Sequence, residues 1–206
     1  MSQVRFVALG DSYTIGTAVS PTDRWPDVLV EQLRRQGVDI VLSANLAVNG
    51  YTSGDVIRME LPALDGVTVD LASLLIGVND VVQGVPRERY AANIEQIMDK
   101  LLERLPANRI VTVSTPDYTV TPAGADFGEP AARSASIRAF NLLLAAASHE
   151  RGIAHVDIHD LSLNAATDRS LVADDGLHPS GIQYAMWVER IEPVVVALLA
   201  DPAGPD

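Results

Sequence analysis

The chain has 206 residues, a net charge of −12 and no cysteine. A chain of this length buries roughly 70% of its unfolded surface, enough for one substantial core, and its 48% apolar content is that of a soluble globular protein. The missing cysteines exclude disulfides, thiolate chemistry and cysteine-ligated zinc, and the acidic balance disfavours nucleic acid and anionic membranes as partners.

No apolar run reaches membrane-spanning length. Met1, Ser2 and Gln3 lead directly into an apolar run with no basic, signal-like segment before it, which predicts a cytoplasmic protein. The sequence leaves the oligomeric state open.

Five nearly continuous apolar runs, at residues 4–9, 40–46, 69–76, 109–114 and 153–158, read as strands covered on both faces. Helical patterns separate them. Trp25, Val28, Leu29 and Leu33 share one face, with Gly37 as a stop signal. Tyr90, Ile94, Ile97, Met98, Leu101, Leu102 and Leu105 give the cleanest helical period, between Pro86 and Pro106. Ile137, Phe140 and Leu144 mark another helix that ends near Gly152. The last is predicted from Pro179 to about Ala200, with Ile182, Met186, Ile191, Val195 and Leu198 facing inward and Pro193 kinking or splitting it. Residues 117–130 read as a long irregular loop, and residues 201–206 as a frayed tail behind one domain over residues 1–200. Alternating strands and helices imply right-handed crossovers and a three-layer α/β sandwich.

Ligands of such sheets bind beyond the carboxyl ends of the strands. Ser12, Gly50 and Asn79 each follow a predicted strand by a few residues and should converge on one rim. Ser12, in Gly10-Asp11-Ser12-Tyr13-Thr14-Ile15-Gly16, is the candidate nucleophile. No Lys-Ser or Lys-Thr follows Gly16, so this is no phosphate loop, and the middle glycine of a dinucleotide fingerprint is absent. Nor is Gly-Asp-Ser the G-x-S-x-G elbow of α/β-hydrolases.

His178 is the candidate base, placed by Pro179 at the start of the last helix. Asp175, three residues earlier, can bond one ring nitrogen and leave the other for Ser12, as in a serine–histidine–aspartate triad. Asp174 stands one residue further from His178. The Gly50 N–H, the Asn79 side-chain amide and the Ser12 N–H are candidate donors to a developing oxyanion. Each segment alone has a plainer reading: a capping serine, a turn glycine, a loop-stabilising asparagine, an Asp-Gly turn with a capping histidine. His149, His155 and His159 lack such company and read as surface or loop residues.

Gly10-Asp11-Ser12, Asn45 to Gly50, Gly77-Val78-Asn79-Asp80 and Asp175-Gly176-Leu177-His178 occur in an order that resembles the SGNH (GDSL) hydrolase family, from residue 9 to residue 179. Tyr13 stands where the GDSL label has leucine. The resemblance implies a five-stranded parallel sheet of flavodoxin-like order. It implies hydrolysis of a small-molecule ester through an acyl-enzyme on Ser12, with Asp175 and His178 completing the triad and Ser12, Gly50 and Asn79 forming the oxyanion hole. It implies no metal and no organic cofactor. The family spans esterases, thioesterases, lysophospholipases, sugar deacetylases and acyltransferases, and Tyr118 and Phe127, in the long loop, are candidate substrate contacts or loop anchors. Two rival readings are a metal-dependent phosphoesterase using Asp11, Asn79, Asp80 and His178, and a catalytically silent binding module.

Overall fold

The computed structural model describes residues 3–200. Its strands are β1 (Val4–Gly10), β2 (Ile40–Asn45), β3 (Leu71–Leu75), β4 (Ile110–Val113) and β5 (Ala154–Val156). They form one sheet in the order β2-β1-β3-β4-β5, parallel throughout. Every residue of β3 and β4 is buried, as nearly continuous apolar runs require when both faces of a sheet are covered. The chain passes from β1 out to β2 and returns to the other side of β1 as β3. The strand order therefore reverses at the carboxyl ends of β1 and β3, where such sheets open a crevice.

The helices are α1 (Ser12–Ile15), α2 (Trp25–Arg35), α3 (Ser53–Asp55), α4 (Leu61–Ala63), α5 (Val78–Val82), α6 (Arg87–Leu102), α7 (Pro130–Glu150), α8 (His159–Leu163) and α9 (Gly181–Ala200). α2 packs on α9, and α6 packs on α7, giving the helical layers of a three-layer sandwich. The α2 face is Trp25, Leu29 and Leu33; the α6 face includes Tyr90, Ile94, Ile97, Met98 and Leu101, all buried. Tyr90 stacks on Phe140 of α7 with ring centroids 4.3 Å apart.

Several sequence expectations need correction. The stretch between β2 and β3, where the sequence singles out no helical face, is helical, with a π turn (Val56–Glu60) joining α3 to α4. Its apolar anchors Val56, Leu61 and Leu64 are too few to show a period. α7 starts at Pro130, whose preceding residue Glu129 caps it through the N–H groups of Ala131 and Ala132. Residues 117–130 contain two 3₁₀ turns, Tyr118–Val120 and Gly124–Phe127.

α9 starts at Gly181, not Pro179, because Pro179 is held in an antiparallel bridge to Val172. Its inward face is Tyr184, Trp187, Val188, Ile191 and Val195, whereas Ile182 is 56% exposed. Pro193 lies inside this helix without splitting it. His155 is also not a surface or loop residue. It lies in β5, and its ring Nδ1 is 2.9 Å from the Thr112 hydroxyl of β4, with burial lowering its pKa. The predicted tail 201–206 lies outside the described residues.

Candidate active site

β1 ends in a turn that only glycine can make. Gly10 has φ +152°, and a Cβ there would sit 2.3 Å from the Leu75 carbonyl and 2.6 Å from the Thr14 hydroxyl. Asp11 then caps α1, its Oδ1 accepting the Tyr13 N–H at 3.0 Å. Ser12 is thereby the first residue of α1, almost buried, at the carboxyl edge of the sheet.

His178 sits in the turn that the Val172–Pro179 bridge closes, and its carbonyl accepts the Ala173 N–H at 2.8 Å. Asp175 Oδ1 accepts the backbone N–H groups of Leu177 and His178 at 2.9 and 3.0 Å, and its Oδ2 lies 2.6 Å from His178 Nδ1. Burial alone would raise the Asp175 carboxyl. The hydrogen bonds from the His178 ring and from the Leu177 and His178 N–H groups outweigh it and hold the group below the ordinary carboxylate range. An ionised carboxylate only accepts, so Nδ1 is the donor of this contact, and in the neutral ring the lone pair then lies on Nε2. The Tyr13 ring lies against the imidazole, centroids 5.6 Å apart, and Trp187 meets Tyr13 edge-on at 6.3 Å. Among the described residues no hydrogen bond joins the Ser12 hydroxyl to His178, and the two side chains face one cavity. Contacts of this kind are often loose until substrate is bound.

Asn79 lies on α5, directly after β3. Its side-chain amide donates to the Tyr51 carbonyl at 2.9 Å, which fixes the amide plane and leaves a second N–H. The next residue, Asp80, is fully buried and accepts both the N–H and the hydroxyl of Ser53, at 2.8 and 2.5 Å. Burial raises its pKa. Asn93 of α6 donates to the same hydroxyl at 2.9 Å. Gly50 precedes Tyr51 and has φ +85°. No atom stands within 4 Å of a Cβ built on it, so the backbone angle rather than crowding calls for glycine. Its carbonyl accepts the Gln83 side chain at 3.2 Å.

A cavity of about 190 Å³ brings Ser12, Asn79 and His178 together. Asn49, rather than Gly50, completes its polar wall; Val78, Val82 and Leu177 form an apolar one with Tyr118 and Phe127. Tyr118 is buried and Phe127 is 38% exposed, and their rings meet edge-on at 6.0 Å. The two aromatics thus anchor their loop and line the cavity at once. Asp80, a ligand in the phosphoesterase reading, has both oxygens committed to Ser53. Among the described residues no group of three or more His, Asp or Glu side chains is placed to hold a metal ion. No helix of the described residues is long and apolar enough to cross a membrane.

Asn49, Tyr13 and the Ser53–Asp80 contact escaped the sequence reading. Asn49 adjoins Gly50, and Asp80, which the sequence offers only as a candidate metal ligand, adjoins Asn79; that adjacency is the signal that points to them.

The chain matches the GDSL-like Lipase/Acylhydrolase family over residues 8–186 and belongs to that family. It is 28% identical to an arylesterase of Vibrio mimicus over 94 residues, which is 46% of this chain and 46% of that relative. The chain therefore aligns with just under half the length of that relative. The fold resembles the lipase/acylhydrolase of Enterococcus faecalis, with TM-score 0.76, 18% identity, and coverage of 99% of this chain and 100% of the other. It also resembles the psychrotrophic esterase EstA of Pseudoalteromonas sp., with TM-score 0.71, 17% identity, and coverage of 96% and 99%.

Proposed function

We propose that this chain is a carboxylic ester hydrolase that works through an acyl-enzyme on Ser12. The observation that carries the reading is the shared cavity: Ser12, Asn79 and His178 face one space, and Asp175 occupies the far nitrogen of His178. In the first half-reaction His178 Nε2 takes the Ser12 hydroxyl proton as Oγ attacks the ester carbonyl. The Ser12 and Gly50 N–H groups and the Asn79 amide stabilise the resulting oxyanion. Collapse breaks the bond to the alkoxy oxygen, and the alcohol leaves with the proton held on His178. In the second half-reaction His178 deprotonates a water, which attacks the acyl carbon. Ser12 is released with its proton restored and the acid departs. Asp175 remains ionised throughout, orienting the ring and stabilising the imidazolium.

The substrate is an ester with a small acyl group. The apolar wall of Val78, Val82, Tyr118 and Phe127 fits an acyl chain or an aromatic ring, and an arylesterase among the relatives agrees with either. One catalytic domain over residues 1–200 and no nucleic-acid partner complete the reading, the latter on the charge of −12.

The test is a screen of aryl and alkyl esters of rising acyl length, acetylated sugars and thioesters, run with and without a chelator. Hydrolysis of small esters that survives chelation and disappears in Ser12→Ala supports the reading. Turnover that vanishes on chelation and returns only with a divalent ion would instead establish the phosphoesterase alternative.

A further inference from the structure

Behind Ser12 lie two buried carboxyls that the mechanism above does not use. Glu60 closes the π turn, is 1% exposed, and its Oε2 accepts the Gly10 N–H at 2.9 Å. Asp11, fully buried, uses Oδ1 to accept the Tyr13 N–H. The remaining oxygens, Glu60 Oε1 and Asp11 Oδ2, are buried with no hydrogen-bond partner among the described residues.

Among the described residues neither carboxyl forms a salt bridge, and the titratable groups that bear on them are Asp55, Asp80 and the Tyr13, Tyr90 and Tyr184 phenols. The nearest guanidinium on this segment, that of Arg58, is bonded to Asp55. A carboxylate with one orphan oxygen in such a site is strongly disfavoured, and a proton removes the charge and supplies an O–H. Burial pushes Asp11 up to about 8 and Glu60 up to about 9, against the hydrogen bonds from the Tyr13 and Gly10 N–H groups, which favour the ionised forms; the charges of Asp11 and Asp55 add to the rise at Glu60.

The position of Glu60 gives this chemistry a consequence. Residues 53–60 hold both halves of the site. At one end Ser53 is bonded to Asp80, next to Asn79. At the other, Glu60 is bonded to Gly10, two residues before Ser12. The π turn sets the phase in which Glu60 leaves the helix, a placement for which π turns at functional sites are known.

We propose that Glu60 is a positioning residue: as a neutral acid it anchors the Gly10 N–H and so fixes the turn that carries Ser12, and its ionisation draws water in behind that turn and loosens its packing. The inference rests on Ser12 being the nucleophile. Ionisation strengthens the Gly10 N–H bond but leaves charge on Oε1, which has no partner among the described residues, and the site relieves it by admitting water behind the 10–12 segment.

Glu60→Gln and Glu60→Leu test this, with kcat and KM for a small activated ester followed from neutral to strongly alkaline pH. Glutamine keeps a neutral acceptor for Gly10. It should hold kcat within about twofold at neutral pH, with a shallower alkaline fall, because one of two titrating groups is gone. Leucine orphans the Gly10 N–H and should lower kcat by about tenfold or more with KM within about twofold. An infrared difference between wild type and Glu60→Gln at neutral pH should show the loss of one protonated-carboxyl band. This measurement, together with the glutamine profile, decides the matter if Glu60→Leu does not fold. An alkaline limb in Glu60→Gln superimposable on wild type, a carboxylate band in place of the acid band, or wild-type kcat in folded Glu60→Leu would overturn the proposal. Peptide mapping of a fluorophosphonate adduct on the wild type keeps the two readings apart: failure to label Ser12 removes the nucleophile assignment, not the neutral acid.

Discussion

Asp175 grips His178 twice, through the ring Nδ1 at 2.6 Å and through the backbone N–H at 3.0 Å. One carboxylate thus sets both the path of the turn and the tautomer of the ring. Asp175→Ala should lower kcat by up to about 10⁴ for a small activated ester, by analogy with the serine-protease aspartate. The pair also links stability to pH. The folded carboxyl titrates below its ordinary 3.8, so its stabilisation is present above that value and lost as pH falls through the lower folded one. Melting temperatures recorded down an acid series should fall more steeply in wild type than in Asp175→Asn.

Asn79 is assigned a donor that acts only as charge develops. Asn79→Ala should lower kcat by roughly 10²–10³ and leave KM nearly unchanged. Stopped-flow acylation by an activated ester reads this step directly. A folded variant with wild-type kcat and a raised KM would make Asn79 a binding residue.

Behind Asn79, the Asp80 carboxyl accepts the Ser53 N–H at 2.8 Å, its one acceptor among the described residues. Asp80→Ala strands that N–H in a buried site, at a cost of about 1–3 kcal/mol. The urea midpoint should fall accordingly. Asp80→Asn keeps one acceptor oxygen and should recover part of the loss.

These residues show how far the sequence reaches. Ser12, Asn79 and His178 were legible because each sits at a boundary: the first two just after nearly continuous apolar runs, the third beside an Asp-Gly turn. The strands were legible for the same reason, since covering both faces leaves continuous apolar words. Glu60 was not. Arg58-Met59-Glu60-Leu61 reads as an ordinary amphipathic surface stretch, and the contact that buries Glu60 is a backbone N–H fifty residues away, between Glu60 and Gly10. Local patterns carry no trace of such a bond. Ile182 reads as inward from its apolar spacing to Met186, yet it is 56% exposed in the first turn of α9, and the Val172–Pro179 bridge that delays that helix is a tertiary contact. Tyr118 lies in a Gly- and Pro-rich stretch, yet it is buried through the aromatic packing of that stretch against the cavity.

Asp11 makes stability fall toward alkaline pH. Its folded pKa of about 8 lies above the ordinary 3.8, so its contribution is full below that lower value and is lost as pH rises through the folded one. Over that window the slope is about 1.4 kcal/mol per pH unit for one proton. Urea unfolding across the window should show wild type weakening with pH and Asp11→Asn, which retains an N-cap side chain, weakening less.

The central claim is that Ser12 is the nucleophile, and covalent capture tests it most directly. The protein is treated with a fluorophosphonate, digested, and the modified peptide sequenced by mass spectrometry. The account predicts a single adduct on Ser12, formed with a chelator present and lost in His178→Ala. An adduct on another serine, or no adduct in a preparation that still hydrolyses esters, would contradict it.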